Sequence, residues 1–114
     1  MTEYKNPLPI NRNEAVKSFL TGSNNDICDT LLAVTLHDED WKWVQMQCLH
    51  FLKHDDPNIS GLAATCLGHL ARIHRKIDGK LVTVALKQRL KDAKISGRVQ
   101  DALDDIETFI EINT

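Results

Sequence analysis

The sequence holds few residues that stabilise or react on their own. Aromatic residues make up 5% of its 114 positions, and it contains three prolines, five glycines and three cysteines. The cysteines, Cys28, Cys48 and Cys66, are odd in number and form no C-x-x-C pair. That excludes a disulfide framework and fits buried thiols in a reducing compartment. No apolar run approaches the ~20 residues that a membrane-spanning helix requires. No stretch alternates apolar with polar residues or concentrates β-branched ones, so no strand is expected. A glycine-rich phosphate loop, an H-E-x-x-H pair and a nucleophile elbow are missing, so the chain is expected not to be an enzyme and to need no cofactor. The first ten residues show no charged segment followed by an apolar stretch, so a cytoplasmic protein is expected.

What is present is apolar periodicity. With 42% hydrophobic and 26% charged residues, the chain has the composition of one soluble domain that builds its own core. Apolar residues recur at helical spacing throughout, which predicts an all-α chain of about six short helices. The predicted helices span about Arg12–Leu20, Asp26–Leu36, Asp40–Lys53, Pro57–Lys76, Leu81–Ala93 and Ser96–Glu111. Ile27, Leu31 and Val34 should face inward from the second helix, and Val44, Cys48, Phe51 and Leu52 from the third. Asp56-Pro57 is a strong helix start, with an acceptor at the N-cap and proline at the first helical position. Gly79 is expected to separate the fourth and fifth helices. Ser60 and Ser96, near helix starts, are expected to act as caps rather than nucleophiles.

An internal repeat organises these helices. Leu52-Lys53 and Ile59-Ser60-Gly61 match Leu90-Lys91 and Ile95-Ser96-Gly97 with a shorter second turn. At an offset of 36 residues Leu67, Leu70 and Ile73 then match Leu103, Ile106 and Phe109. Such a period marks stacked helical hairpins. Asp56-Pro57-Asn58-Ile59-Ser60-Gly61-Leu62-Ala63-Ala64-Thr65-Cys66-Leu67-Gly68-His69-Leu70 resembles a HEAT repeat, with its Asp-Pro turn, small residues at close helix approaches and Leu-Gly-x-Leu ending. Ser60 and Ser96 depart from that pattern, where the family commonly has a basic residue. The resemblance implies a right-handed α-solenoid of about three hairpins, covering residues 12–37, 40–77 and 80–112 after an N-terminal arm of residues 1–11. Together with Asp40-Trp41-Lys42-Trp43-Val44-Gln45-Met46-Gln47-Cys48-Leu49, it extends to small bacterial HEAT-like proteins, some of which are toxin immunity proteins.

Charge is uneven despite a net value of −2. Nine Lys and Arg between Arg72 and Arg98 face only Asp78 and Asp92, whereas seven acids between Asp26 and Asp56 face Lys42 and Lys53. After Arg98 there are five acids and no base. Nucleic acid needs an unbroken basic face, and the flanking acids and a pI near 6.2 argue against it.

Two surfaces stand out as candidates for a protein partner. On the third helix Trp43, Met46, Gln47 and His50 form a second stripe beginning beside Asp40, and Trp with Met is a common hot-spot composition. The alternative is that Trp43 packs on the first helix. On the fourth helix Thr65, His69, Arg72 and Lys76 form a polar ridge, with Asp101 and Asp105 on the adjacent ridge of the sixth. His50 and His54 have the spacing of two metal ligands, but solvated histidines at a helix end explain them equally and no metal is expected. The resemblance implies a monomer or weak dimer that occludes a cognate toxin, with a nuclease among the candidates, its acidic segments covering a basic groove and Trp43 acting as an anchor. A general adaptor and a nucleic-acid binder using residues 72–98 are the alternatives.

Overall fold

A computed structural model describes residues 7–110. Positions 1–6 of the predicted arm and 111–112 of the third predicted repeat lie outside the described residues. Those described form six α-helices, α1 (Arg12–Thr21), α2 (Asn24–His37), α3 (Trp41–Leu52), α4 (Pro57–His69), α5 (Gly79–Gln88) and α6 (Ser96–Phe109), and no strand.

Local chemistry sets most helix starts. Asn11 accepts from the Glu14 N–H at 2.8 Å, Asp40 from Trp43 at 3.2 Å, Asp56 from Asn58 at 2.8 Å and Asp78 from Leu81 at 3.2 Å. Ser23 and Asp26 close a reciprocal capping box at the start of α2. Gly79 is therefore the first residue of α5 rather than a break, because Asp78 caps the helix before it. Ser60 and Ser96 do not cap. Ser60 is fully buried inside α4 and its hydroxyl donates to the Asp56 carbonyl at 3.2 Å, while α6 begins after Ile95 without a side-chain cap.

The fourth helix does not run regularly to Lys76. After His69 the chain widens into a π-helical turn over Leu70–His74, and Arg75 adopts a left-handed conformation at φ 54°. A π turn accommodates an extra residue and rotates the subsequent side chains out of the α-helical register. Ile73 is consequently 48% exposed, although its repeat partner Phe109 is half-buried. The fifth helix ends at Gln88, five residues earlier than the periodicity predicts. Residues 89–95 instead turn through Asp92 N–H to Arg89 O and Ile95 N–H to Asp92 O bonds.

Packing centres on α4. It lies between α2 and α6, and α3 covers it while also touching α2 and α5. The small residues of α4 make these approaches possible. A Cβ on Gly68 would stand 3.1 Å from the Ala102 Cα, so α4 and α6 meet almost backbone to backbone there. Ile27, Leu31, Val34, Val44, Cys48, Phe51 and Leu52 are all buried, as the inner stripes of α2 and α3 require. Buried polar groups are few and spent on joining elements. Thr30 pairs with Ser18 at 2.7 Å, and Gln45 accepts the Asp78 N–H at 2.6 Å. His74 Nε2 lies 2.7 Å from the Thr35 carbonyl, strapping the π turn to α2.

Candidate functional site

With α4 between α2 and α6, the outer faces of these three helices enclose a groove of about 580 Å³. Cys28, Asp29 and Leu32 line it from α2, Leu62 and His69 from α4, and Arg98 from α6. Gly61 makes room for the last of these: a Cβ there would fall 2.9 Å from Arg98 Nη1 and 3.0 Å from its Cδ. The guanidinium thus lies close over the α4 backbone. Neither Arg98 nor Asp29 belongs to an ion pair among the described residues, whose pairs are Arg12 with Asp38 and Asp40, and Arg89 with Asp92.

The groove tunes two titratable groups. Burial pushes the Cys28 thiol up, and the negative charges of Asp56 and Asp29 push the same way against Arg98. Its Sγ points to the Asn58 carbonyl at 4.0 Å. Burial also lowers His69 below its ordinary value of 6.5, with the charge of Arg72 adding to the effect and Asp105 opposing it. A neutral His69 accepts from Arg72 through Nδ1 at 2.5 Å.

The residues proposed from sequence fall on two faces. His69, Arg72 and Asp105 come together at the edge of the groove, with Asp101 exposed one helical turn before Asp105 on α6. Lys76 does not join them. The π turn and left-handed Arg75 carry it to a separate cavity of about 390 Å³ beside Asp38, Glu39, Trp41 and His74. Asp40, Trp43, Met46, Gln47 and His50 lie on or beside α3. Met46 and His50 are exposed and Gln47 is half-buried. Trp43 packs on α1, 6.2 Å from Phe19 between ring centroids, and the Arg12 guanidinium covers it. His54 spends Nδ1 on the Asp56 N–H at 3.0 Å, and among the described residues no three His, Cys, Asp or Glu side chains converge as a metal site.

Periodicity and spacing do not single out Asp29, Leu62 or Arg98. The available signal is Gly61, which offers space in the middle of an otherwise well-filled helix.

No protein-family model and no curated protein sequence matches the chain. Among solved structures, the chain is similar from end to end to one in the crystal structure of a CDI complex from Cupriavidus taiwanensis LMG 19424. The TM-score is 0.86 at 26% identity, covering 96% of this chain and 98% of that one.

That similarity extends over the helices forming both faces. It accounts for the shape of the groove, whereas the side chains within it belong to this sequence.

Proposed function

We propose that the chain is a contact-dependent growth inhibition immunity protein, which binds a cognate toxin domain and blocks it without catalysing a reaction. The observation carrying this reading is the end-to-end similarity to a chain of a CDI complex, at TM-score 0.86 and 26% identity. Of the two roles in such a complex, the immunity role suits this chain because its sequence carries no catalytic motif. On this reading the helices form about three HEAT-like hairpins in a right-handed solenoid, and the protein acts as a cytoplasmic monomer or weak dimer. None of the helices among the described residues is long and apolar enough to cross a membrane.

The mechanism is occlusion. A standard interface covers roughly 800 Å² per partner, enough to close the mouth of an active site without reaching its catalytic groups. A nuclease is one toxin class that an acidic surface would suit. Direct nucleic-acid binding by residues 72–98 is disfavoured because the fold divides them: Arg98 lies in the groove between α4 and α6, while Lys80 and Lys87 stand on α5. Phosphate binding needs those charges on one continuous face.

A tagged pull-down from the native organism, repeated after nuclease treatment, tests the proposal. One stoichiometric partner that carries a toxic domain and survives nuclease supports it. Recovery of nucleic acid alone, or of a metabolic assembly without a toxin, rejects it in favour of a nucleic-acid binder or an adaptor.

A further inference from the structure

The folded chain sorts its charges by layer, which their order along the sequence does not reveal. Helices α1, α3 and α5 carry Arg12, Lys17, Lys42, Lys80 and Lys87 against Glu14 alone. Helices α2 and α6 carry Asp26, Asp29, Asp101, Asp104, Asp105 and Glu107 against Arg98 alone. The charge-poor α4 lies between those two acidic helices, and the groove runs along it.

The floor of that groove is apolar where Leu32 and Leu62 meet, both half-buried. Asp29 stands on one wall and Arg98 on the other. A partner satisfying all three features inserts an apolar side chain, offers one acceptor to Arg98 and surrounds both with basic groups. We propose that the α2–α4–α6 groove is the toxin-docking surface and that its occupant is a Lys/Arg-rich segment of the toxin with an apolar side chain at its centre. This inference rests on the immunity reading and adds to it the face used and the chemistry recognised. It moves the principal contact away from Trp43, which α1 and Arg12 already cover.

Charge complementarity of this kind acts mainly on the association rate, and filling the groove acts on the dissociation rate. Cys28 supplies an internal reporter because its half-buried thiol lines the same groove.

The test measures binding of an inactive form of the toxin domain encoded by the adjacent reading frame. It uses the wild-type chain, Leu62→Arg, the double variant Asp29→Lys/Asp101→Lys, and Lys80→Glu/Lys87→Glu on the opposite layer, all checked for native helicity. Leu62→Arg is expected to weaken binding ~100-fold or more by blocking the groove. The acidic-face double variant is expected to slow association ~10-fold or more at low salt and to flatten its salt dependence. The α5 variant should bind within ~3-fold of wild type, and bound toxin should protect Cys28 from alkylation. If wild type binds while both groove variants bind equally well, or if the α5 variant alone loses binding, this docking surface is wrong and the immunity reading stands. If wild type does not bind the toxin domain at all, both fall.

Discussion

The guanidinium of Arg12 lies 3.8 Å from the ring centroid of Trp43, while its Nη2 reaches Asp38 at 3.2 Å and Asp40 at 3.5 Å. One side chain thus closes the hydrophobic contact between α1 and α3 and satisfies the acids of the α2–α3 turn. An exposed cation–π contact is worth about 0.5–1 kcal/mol and exposed ion pairs add little. Arg12→Ala should therefore lower unfolding stability in urea by about 1 kcal/mol. Native tryptophan emission should shift to longer wavelength as the ring meets water. Unchanged emission would show that Phe19 alone covers the indole.

Two glycines should respond oppositely to alanine. At Gly68 the new Cβ would stand 2.9 Å from Asp105 Oδ2 and 3.1 Å from the Ala102 Cα. The carboxylate can move and the backbone cannot. Overpacking of this kind costs about 1–3 kcal/mol, more than the helix propensity gained. Gly97 meets nothing within 4 Å. Gly97→Ala near the start of α6 should be neutral or stabilising by up to about 1 kcal/mol. Thermal melts of the two variants should move in opposite directions; equal melts would contradict the close approach of α4 and α6.

Acid should destabilise the protein through His69. Its folded value lies below the ordinary 6.5, first because it is buried and then because Arg72 is near. The unfolded chain then binds more protons, so its contribution is complete above 6.5 and declines as pH falls below 6.5 toward the folded value. Urea unfolding at pH 7.5 and pH 5.5 should show a loss on acidification that is smaller in His69→Gln. An equal loss in both proteins would assign the acid sensitivity to other groups.

The three thiols should separate by access. Cys48 and Cys66 are fully buried, and a hydrogen bond between them together with burial holds the Cys48 thiol well above the usual thiol range. Cys28 is half-buried in the groove and its thiol is raised. A disulfide reagent should therefore find one reactive thiol in the native protein and three after denaturation. The native reaction should accelerate with pH later than that of a free thiol. Fast reaction of two native thiols would contradict the packing of α3 on α4.

The caps and inner stripes were legible because their causes are local. Asp56-Pro57 starts α4 through groups within two residues of each other, and Leu31 or Cys48 can be assigned inward from spacing alone. The early end of α5, the π turn and the displacement of Lys76 were not legible. They depend on ties such as His74 to Thr35, 39 positions away, and Asp78 to Gln45, 33 positions away, whose partners are set by how the helices stack.

The candidate site divides along the same line. His69, Arg72, Asp101 and Asp105 follow from helical spacing and the 36-residue offset, and they border the groove. Asp29, Leu62 and Arg98 become one feature only after α2 and α6 lie on either side of α4.

The sequence alone therefore determined an all-helical chain, where its helices begin, which residues form the core and which reactive motifs are absent. Periodicity, capping and composition are properties of neighbouring residues. Only the tertiary structure decided that acidic helices flank one groove, that basic helices occupy the other layer and that Trp43 is covered. A helix side chain meets its distant neighbours through packing, and glycines such as Gly61 and Gly68 determine how closely those neighbours come.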